Sequence, residues 1–193
     1  MQQKKAAMDD KALNNSIEYE TTGLKYRPFL DLLLQLSANG DLTDKEIRDE
    51  IHTTIASGFE TTSNQLTFIL LQLGANPEVQ ENVHQELLEV LGAERDVEKD
   101  DLNKLIYTNA VIMESLRVFP SVPALLRYVD KDVKLKNYTM RAGSECFIFP
   151  LATHLDPCWG AQNDQFRPER WLNNDVCNNK EFAAFGLGKR ACI

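Results

Sequence analysis

Residues 185–193 read FGLGKRACI, and their types and spacing suit a metal-binding loop. Cys192 offers a soft thiolate ligand, and Arg190 is a fixed cation that can bind a carboxylate through two hydrogen bonds. Gly186 and Gly188 allow a tight turn and a close approach of the backbone to a bulky group. Haem would supply both the iron and the carboxylates, and a cysteine-ligated haem is the kind that activates oxygen. The pattern therefore predicts a loop that presents one thiolate to an iron.

A second set of candidate residues lies in a long predicted helix that runs from a capping box at Thr43 to about Leu73. At about 1.5 Å per residue this helix is about 45 Å long, and we expect its centre to be buried. Residues 56–63, ASGFETTS, are poor helix formers because a glycine and several hydroxyl residues loosen the hydrogen-bond ladder. Glu60 and Thr61 could pass protons to a ligand inserted there. A simple kink or a close helix crossing explains the same composition.

Two further groups of charged residues are candidates. Glu114 and Arg117 are three residues apart, so they share one helix face and can pair. Their flanks are apolar, which favours burial, and a buried pair needs more partners; Arg170 is the candidate third member. Arg127 follows a rigid proline segment on a predicted strand, where it is either a solvated charge or a contact for an anionic group.

Between these groups the chain changes from helices to short strands and then to irregular coil. Helices are predicted over 27–36, from a cap at Asn76 to Gly92, and over 102–119, with an acidic, mobile stretch at 93–101. Strands are predicted at 125–129, 133–135, 138–140 and 145–149. The fold class is therefore mainly α with a small β-sheet.

Composition limits the function classes. The net charge is −8, which argues against nucleic acid as the main partner, and no apolar run is long enough to span a membrane. The cysteines and histidines have no zinc-ligand spacing, and no disulfide framework is expected. Cys146, Cys158 and Cys177 are interpreted as plain core or surface residues.

Taken together, the motifs resemble the C-terminal half of a cytochrome P450, a haem-thiolate monooxygenase, over about residues 25–193. Four motifs occur in the family's order: SGFETT at 57–62, ExxR at 114–117, FRPER at 166–170 and FxxGxRxC at 185–192. The resemblance implies the C-terminal portion of that fold, with residues 1–20 as a flexible start and residues 21–193 as a single incomplete domain. The residues in and around these motifs most resemble a microsomal, animal, family-four-like branch.

The resemblance also implies residue roles. Cys192 would be the axial ligand of a haem b iron, with Phe185 packed near the sulfur and backbone N–H groups around Gly188 bonded to it. Arg190 and Arg127 would lie near the haem propionates. Thr61 with Glu60 would deliver protons to dioxygen, and the remaining charges would form a structural triad: Glu114, Arg117 and Arg170.

By the same resemblance, the reaction inserts one oxygen atom of O2 into a small apolar substrate: a fatty acid, another lipid or a xenobiotic. Electrons would come from NADPH through NADPH–cytochrome P450 reductase, at the cytosolic face of the endoplasmic reticulum membrane. Many members of the branch carry a glutamate just before the helix glycine that bonds covalently to haem. Ser57 stands there, so covalent attachment is not expected, and an insect-type lipid or xenobiotic enzyme is an equal alternative.

Relative to the family, the chain is short. A membrane anchor, the early helices and the helix that follows the cysteine are not in the sequence, so the chain is interpreted as a partial sequence. The competing hypothesis is a non-catalytic helical fragment that cannot bind haem alone. A third hypothesis is a cysteine-based redox protein, which requires a resolving cysteine near Cys192.

Overall fold

The computed structural model describes residues 28–93, 95–172 and 182–192. The fold is mainly helical with small antiparallel sheets, as predicted. The described chain divides into two compact units, one ending at Glu60 and the other beginning at Thr61. The flexible start predicted for residues 1–20 lies outside the described residues, and the single domain over 21–193 stays a prediction.

The first unit contains helix α1, Phe29–Ala38, and the beginning of helix α2, Asp44–Ala75. The predicted capping box starts α2: the Glu46 carboxylate accepts from the Thr43 N–H at 2.8 Å, and the Glu46 N–H donates to the Thr43 hydroxyl at 3.3 Å. This exchange satisfies two amides that the first helical turn leaves without partners. The core of this unit consists of Leu33, Leu34 and Ile47.

Helix α2 stays α-helical along all 32 residues despite its hydroxyl-rich centre. Ser57, inside the predicted stretch, donates to the Thr54 carbonyl at 3.2 Å, and Thr53 just before it donates to the Asp49 carbonyl at 2.8 Å. The expected burial of the centre is wrong for the described chain, because residues 52–60 are all exposed. Ile55 and Phe59 keep 63% and 73% of their surface accessible. Because they are one helical turn apart, they form an apolar strip that faces solvent.

Helix α3, Pro77–Leu91, begins with proline at its first turn and ends at Gly92, whose φ of 75° suits only glycine. The expected side-chain cap at Asn76 is not formed. Instead its Nδ2 donates to the Gln72 carbonyl at 2.8 Å, because Asn76 directly follows the last turn of α2. Val79 in the first turn of this helix is buried.

The stretch predicted to be mobile contains a 3-10 helix, Lys99–Lys104, before helix α4, Ile106–Val118. Asp101 is only 3% exposed and binds Arg95 at 2.7 Å and Lys104 at 3.0 Å. These ion pairs and the capping box at Glu98 order the segment, which corrects the prediction of mobility for residues 99–101.

The second unit also holds two small sheets at the predicted positions. Strand β1, Leu125–Tyr128, pairs with β4, Glu145–Ile148, and β2, Val133–Lys134, pairs with β3, Thr139–Met140, both antiparallel. Helix α5, Pro150–His154, follows β4. Beyond it, residues 155–172 and 182–192 contain three 3-10 turns: Pro157–Trp159, Pro168–Trp171 and Gly188–Arg190.

The cysteines differ from the expectation at one position. Cys158 is in a disulfide bond, whereas Cys146 and Cys192 are free thiols; Cys177 lies outside the described residues. The interpretation of Cys158 as a plain residue was therefore wrong, because cysteine pairing depends on spatial proximity that sequence spacing does not reveal. Among the described helices, none has the length and apolar character required to cross a membrane.

Candidate functional site

The cysteine loop is closed by its own backbone. The Cys192 N–H donates to the Phe185 carbonyl at 2.7 Å, so the two ends of the predicted motif are joined directly. Gly186 and Gly188 lie between them with φ of 73° and 79°, a region that side chains with a Cβ rarely adopt. At Gly186 an added Cβ would also lie 3.6 Å from the Cα of Ala191. The glycines are therefore required by the turn that brings Cys192 back beside Phe185.

A cavity of about 480 Å³ lies against this loop, within the second unit. That volume is in the range of about 300–1,000 Å³ typical of small-molecule and cofactor sites. One wall is the face of α2 from Thr61 to Ile69, and the opposite wall is the cysteine loop. Apolar side chains from α4, the turn after it, β1 and α5 provide most of the rest: Ile112, Leu116, Val122, Leu125 and Pro150.

The cavity brings together five of the predicted site residues, which are far apart in the sequence. These are Thr61, Arg127, Phe185, Arg190 and Cys192. Gly188 shapes the loop but is not among the lining residues. Glu60 belongs to the first unit and is exposed, so its predicted partnership with Thr61 stays a prediction.

The polar groups on this wall form a network that the sequence analysis missed. Gln65 is nearly buried; its Nε2 donates to the Ser115 hydroxyl at 3.0 Å, and its Oε1 lies 3.0 Å from the Ser121 hydroxyl. The Ser121 hydroxyl also lies 2.9 Å from the Thr61 carbonyl. The network ties α2 to α4 and to the turn after α4, so it fixes the backbone at Thr61. No local pattern signals it, because its members are about 50 residues apart.

The predicted triad is present as a buried cluster beside the cavity. Glu114 and Arg117 are fully buried and form a two-pronged pair, each bond 2.8 Å long. The same carboxylate accepts from Arg170 Nε at 3.1 Å, from the Arg167 N–H at 2.9 Å and from the Trp171 indole N–H at 2.9 Å. Five donors therefore satisfy one buried carboxylate, which offsets the cost of removing its charge from water.

The two arginines of this cluster use their remaining donors on the irregular coil. Arg117 donates to the backbone carbonyls of His154, Asn163 and Gln165, and its guanidinium lies 5.4 Å from the centre of the Trp159 ring. Burial by itself would raise the pKa of Glu114, but the hydrogen bonds from Arg117 and the Arg167 amide hold that pKa below its ordinary value. The cluster is thus a charged clamp that holds the coil against α4.

His154 connects this clamp to the cysteine loop. Its ring is fully buried, with Nδ1 3.1 Å from the Arg117 carbonyl and Nε2 2.9 Å from the Ala183 amide nitrogen. Burial lowers the pKa of His154, and the positive charge of Arg117 acts in the same direction. In the same region Trp159 is buried and donates its indole N–H to the Thr153 carbonyl at 2.9 Å.

The fold and the thiol-bearing cavity agree with the comparisons with known proteins. The whole chain, residues 1–193, matches the family model described as Cytochrome P450, and the chain belongs to that family. More narrowly it is of the family-4 type: it is 40% identical over 174 residues to Cytochrome P450 4V2 of Mus musculus, covering 88% of this chain and 33% of the relative. Cytochrome P450 4c3 of Drosophila melanogaster is 35% identical over 181 residues, with 91% and 34% covered. The chain spans about a third of the length of these curated relatives.

Proposed function

We propose that this chain forms the haem-thiolate and proton-delivery part of a monooxygenase that inserts one oxygen atom of O2 into an apolar organic substrate. The observation that carries the proposal is the cavity, because it places a free thiol, two guanidinium groups and Thr61 around one largely apolar space. These groups come from a helix, a strand and a loop that are distant in the sequence.

The chemistry of the cavity walls fits haem b. Cys192 supplies the single soft ligand that iron needs from the protein, and the apolar walls suit the flat face of a porphyrin. Arg127 and Arg190 carry the fixed positive charges that would pair with its propionates. When bound, haem supplies the redox centre that activates dioxygen, while the protein orients the reactants and excludes water.

On this proposal the cysteine loop keeps the Cys192 sulfur directed to the cavity. Closure by the Cys192 N–H to the Phe185 carbonyl removes the freedom the loop would otherwise have. Phe185 would pack near the sulfur, and amides near Gly188 would bond to the thiolate and tune its donor strength. Exchange of Gly188 for a residue with a Cβ would disturb this arrangement through the backbone, since open space surrounds the position.

Proton delivery is assigned to Thr61 and Glu60. The Thr61 hydroxyl would hold a proton at the cavity wall, and the Glu60 carboxyl, which is exposed, would replace that proton from solvent. The Ser121 hydroxyl holds the Thr61 carbonyl at 2.9 Å, which keeps this turn of α2 in one orientation. General acid catalysis of this kind typically contributes about 10²–10⁴-fold to a rate.

The Thr61→Ala variant tests this assignment against its neighbour Thr62→Ala, which also lines the cavity. Oxygen consumption, peroxide release and product are measured together in a full-length protein that carries this chain. We expect Thr61→Ala to consume oxygen while product per oxygen falls about tenfold or more, and Thr62→Ala to stay coupled. Equal coupling in both variants would remove Thr61 from the proton path.

For substrates and partners, the proposal follows the cavity and the family. Apolar side chains such as Leu66, Ile69 and Val122 favour a fatty acid, another lipid or a xenobiotic as substrate. Electrons come from NADPH through NADPH–cytochrome P450 reductase at the cytosolic face of the endoplasmic reticulum membrane. Ser57, where a covalent link to haem would need a glutamate, favours non-covalent haem. NADPH oxidation with purified reductase in lipid vesicles, with each substrate class in turn, tests these assignments.

A second candidate is that the 193-residue polypeptide is a non-catalytic helical chain. The exposed side of the loop favours it, since Phe185 and Leu187 keep 56% and 63% of their surface accessible. The chain alone is mixed with haem, reduced and exposed to carbon monoxide, with Cys192→Ala as the matched control. We expect little or no thiolate-type Soret band from the chain alone; a strong band that Cys192→Ala abolishes would exclude this candidate.

A further inference from the structure

His154 is a buried titratable side chain that the proposed chemistry leaves without a role. It is the last residue of α5, and none of its surface is accessible. Both ring nitrogens have backbone partners: the Arg117 carbonyl oxygen at 3.1 Å and the Ala183 amide nitrogen at 2.9 Å. A surface histidine would bond to water instead, so this ring is held by the protein on both sides.

The two partners determine which nitrogen carries the proton. The Ala183 amide can only donate, so Nε2 must be the unprotonated acceptor. The Arg117 carbonyl can only accept, so Nδ1 must carry the hydrogen. The neutral Nδ1–H tautomer satisfies both contacts. The Nε2–H tautomer would place two donors against each other at Ala183 and two acceptors against each other at Arg117.

These two contacts join the buried clamp to the segment before the cysteine loop, and the proposed site requires a fixed distance between the two. Arg117 belongs to the buried clamp, and its guanidinium also donates to the His154 carbonyl at 2.7 Å. Ala183 begins the segment that leads into the cysteine loop, lines the cavity and accepts from the Gly186 N–H at 2.9 Å. The Phe182 ring stacks on the imidazole, with centres 5.2 Å apart. His154 therefore contacts the clamp with one edge and the entrance of the loop with the other.

We propose that His154 is a positioning residue for the cysteine loop: as the Nδ1–H tautomer it binds the Ala183 amide to the Arg117 backbone and so sets where the loop begins. The proposal rests on the proposed function only in taking Cys192 as the group to be positioned. His154 does not line the cavity among the described residues, so it acts through Ala183 and Gly186 rather than on a ligand.

The tautomer can be measured directly, without haem and without a variant. Long-range proton–nitrogen correlation spectra of the full 193-residue chain, labelled with ¹⁵N-histidine, distinguish the two neutral forms of each ring. We expect the His154 ring to show a protonated Nδ1 and an unprotonated Nε2 at neutral pH. A protonated Nε2 would overturn the proposal, because that nitrogen could no longer accept from Ala183.

A pair of variants separates the positioning role from simple filling of space. His154→Gln places an amide oxygen near the position of Nε2, whereas His154→Asn reaches only as far as Nδ1. Amide hydrogen exchange of the 182–192 segment is measured by mass spectrometry in the full chain without haem. We expect exchange at Ala183 to rise about fivefold or more in His154→Asn and to stay near the wild-type rate in His154→Gln.

Equal exchange in the two variants would contradict the positioning role. If His154→Asn fails to fold, the tautomer of His154 in the wild-type chain still tests the proposal. The proposed function fails separately. Absence of haem-thiolate absorbance from a full-length protein would count against the function, yet it would leave the tautomer and the amide exchange unchanged. The reverse result, thiolate absorbance with a protonated Nε2, would retain the function and remove His154 from it.

Discussion

The Glu114 clamp and the cysteine loop lie in the same unit, but they treat polar groups in opposite ways. The Glu114 carboxylate is fully buried and accepts five hydrogen bonds from protein donors. Cys192 is an exposed free thiol at the edge of a cavity, and Arg190 beside it is exposed as well. The donors that satisfy the clamp all come from the protein, whereas the loop leaves its thiol and its guanidinium exposed. A rigid cluster with all its polar groups satisfied can therefore support a neighbouring loop whose thiol and guanidinium stay accessible.

The largest effect is expected at the clamp. Glu114→Gln removes the negative charge and leaves Arg117 and Arg170 near the core without a counter-charge. Breaking a buried pair in this way costs about 3–5 kcal/mol in the free energy of unfolding. Urea unfolding followed by circular dichroism measures it, with the exposed Glu89→Gln on α3 as control, expected to change stability by less than about 0.5 kcal/mol. A loss at Glu114 no larger than at Glu89 would show that the clamp is not a stabilising scaffold.

A smaller effect, with opposite signs at two glycines, tests the loop itself. Gly188 has φ of 79°, so Gly188→Ala strains the backbone and should cost about 1 kcal/mol or more. Gly58 lies inside α2 with open space around it, so Gly58→Ala should stabilise by about 0.5–1 kcal/mol. Thermal unfolding of both variants gives the comparison. Stabilisation at both positions would mean that the loop does not need the left-handed turn.

The smallest effect concerns pH and the link between the two regions. Because the pKa of His154 is lowered in the folded state, the unfolded chain binds a proton below about the ordinary value of 6.5 that the folded chain does not bind. The free energy of unfolding therefore falls as the pH is lowered from 7.5 to 5.5. The contribution of the neutral His154 ring is fully present only above about 6.5. Urea midpoints at both pH values measure this, and His154→Gln should show a smaller difference. A midpoint that rises on acidification would contradict the buried neutral ring.

Local signals in the sequence were enough for much of the fold. The capping box at Thr43, the proline start of α3 and the four strands are set by neighbouring residues, and the structure confirms them. The triad could be predicted because Glu114 and Arg117 share a helix face, and the resemblance implied Arg170 as the third partner. The tight turn of the cysteine loop could be predicted from the positions of Gly186 and Gly188.

Contacts between distant residues could not be read in the same way. The Gln65 network joins positions about 50 residues apart, and His154 bridges Arg117 to Ala183 through backbone atoms that carry no residue identity. The 3-10 helix at Lys99–Lys104 depends on the ion pair of Asp101 with Arg95. The acidic composition of this segment had predicted a mobile stretch instead. Each of these three contacts involves a partner that comes close only when the chain has folded.

The assignment of Cys192 as the thiolate ligand of a haem site can be tested in a complete enzyme. The mouse relative aligns with this chain over 174 residues, so the aligned segment of that relative can be replaced by the matching residues of this chain. The measurement is the reduced carbon monoxide difference spectrum of the chimera and of its Cys192→Ala variant. We predict a thiolate-type Soret band that Cys192→Ala abolishes. Haem binding without that band, or a band that persists in Cys192→Ala, would contradict the account.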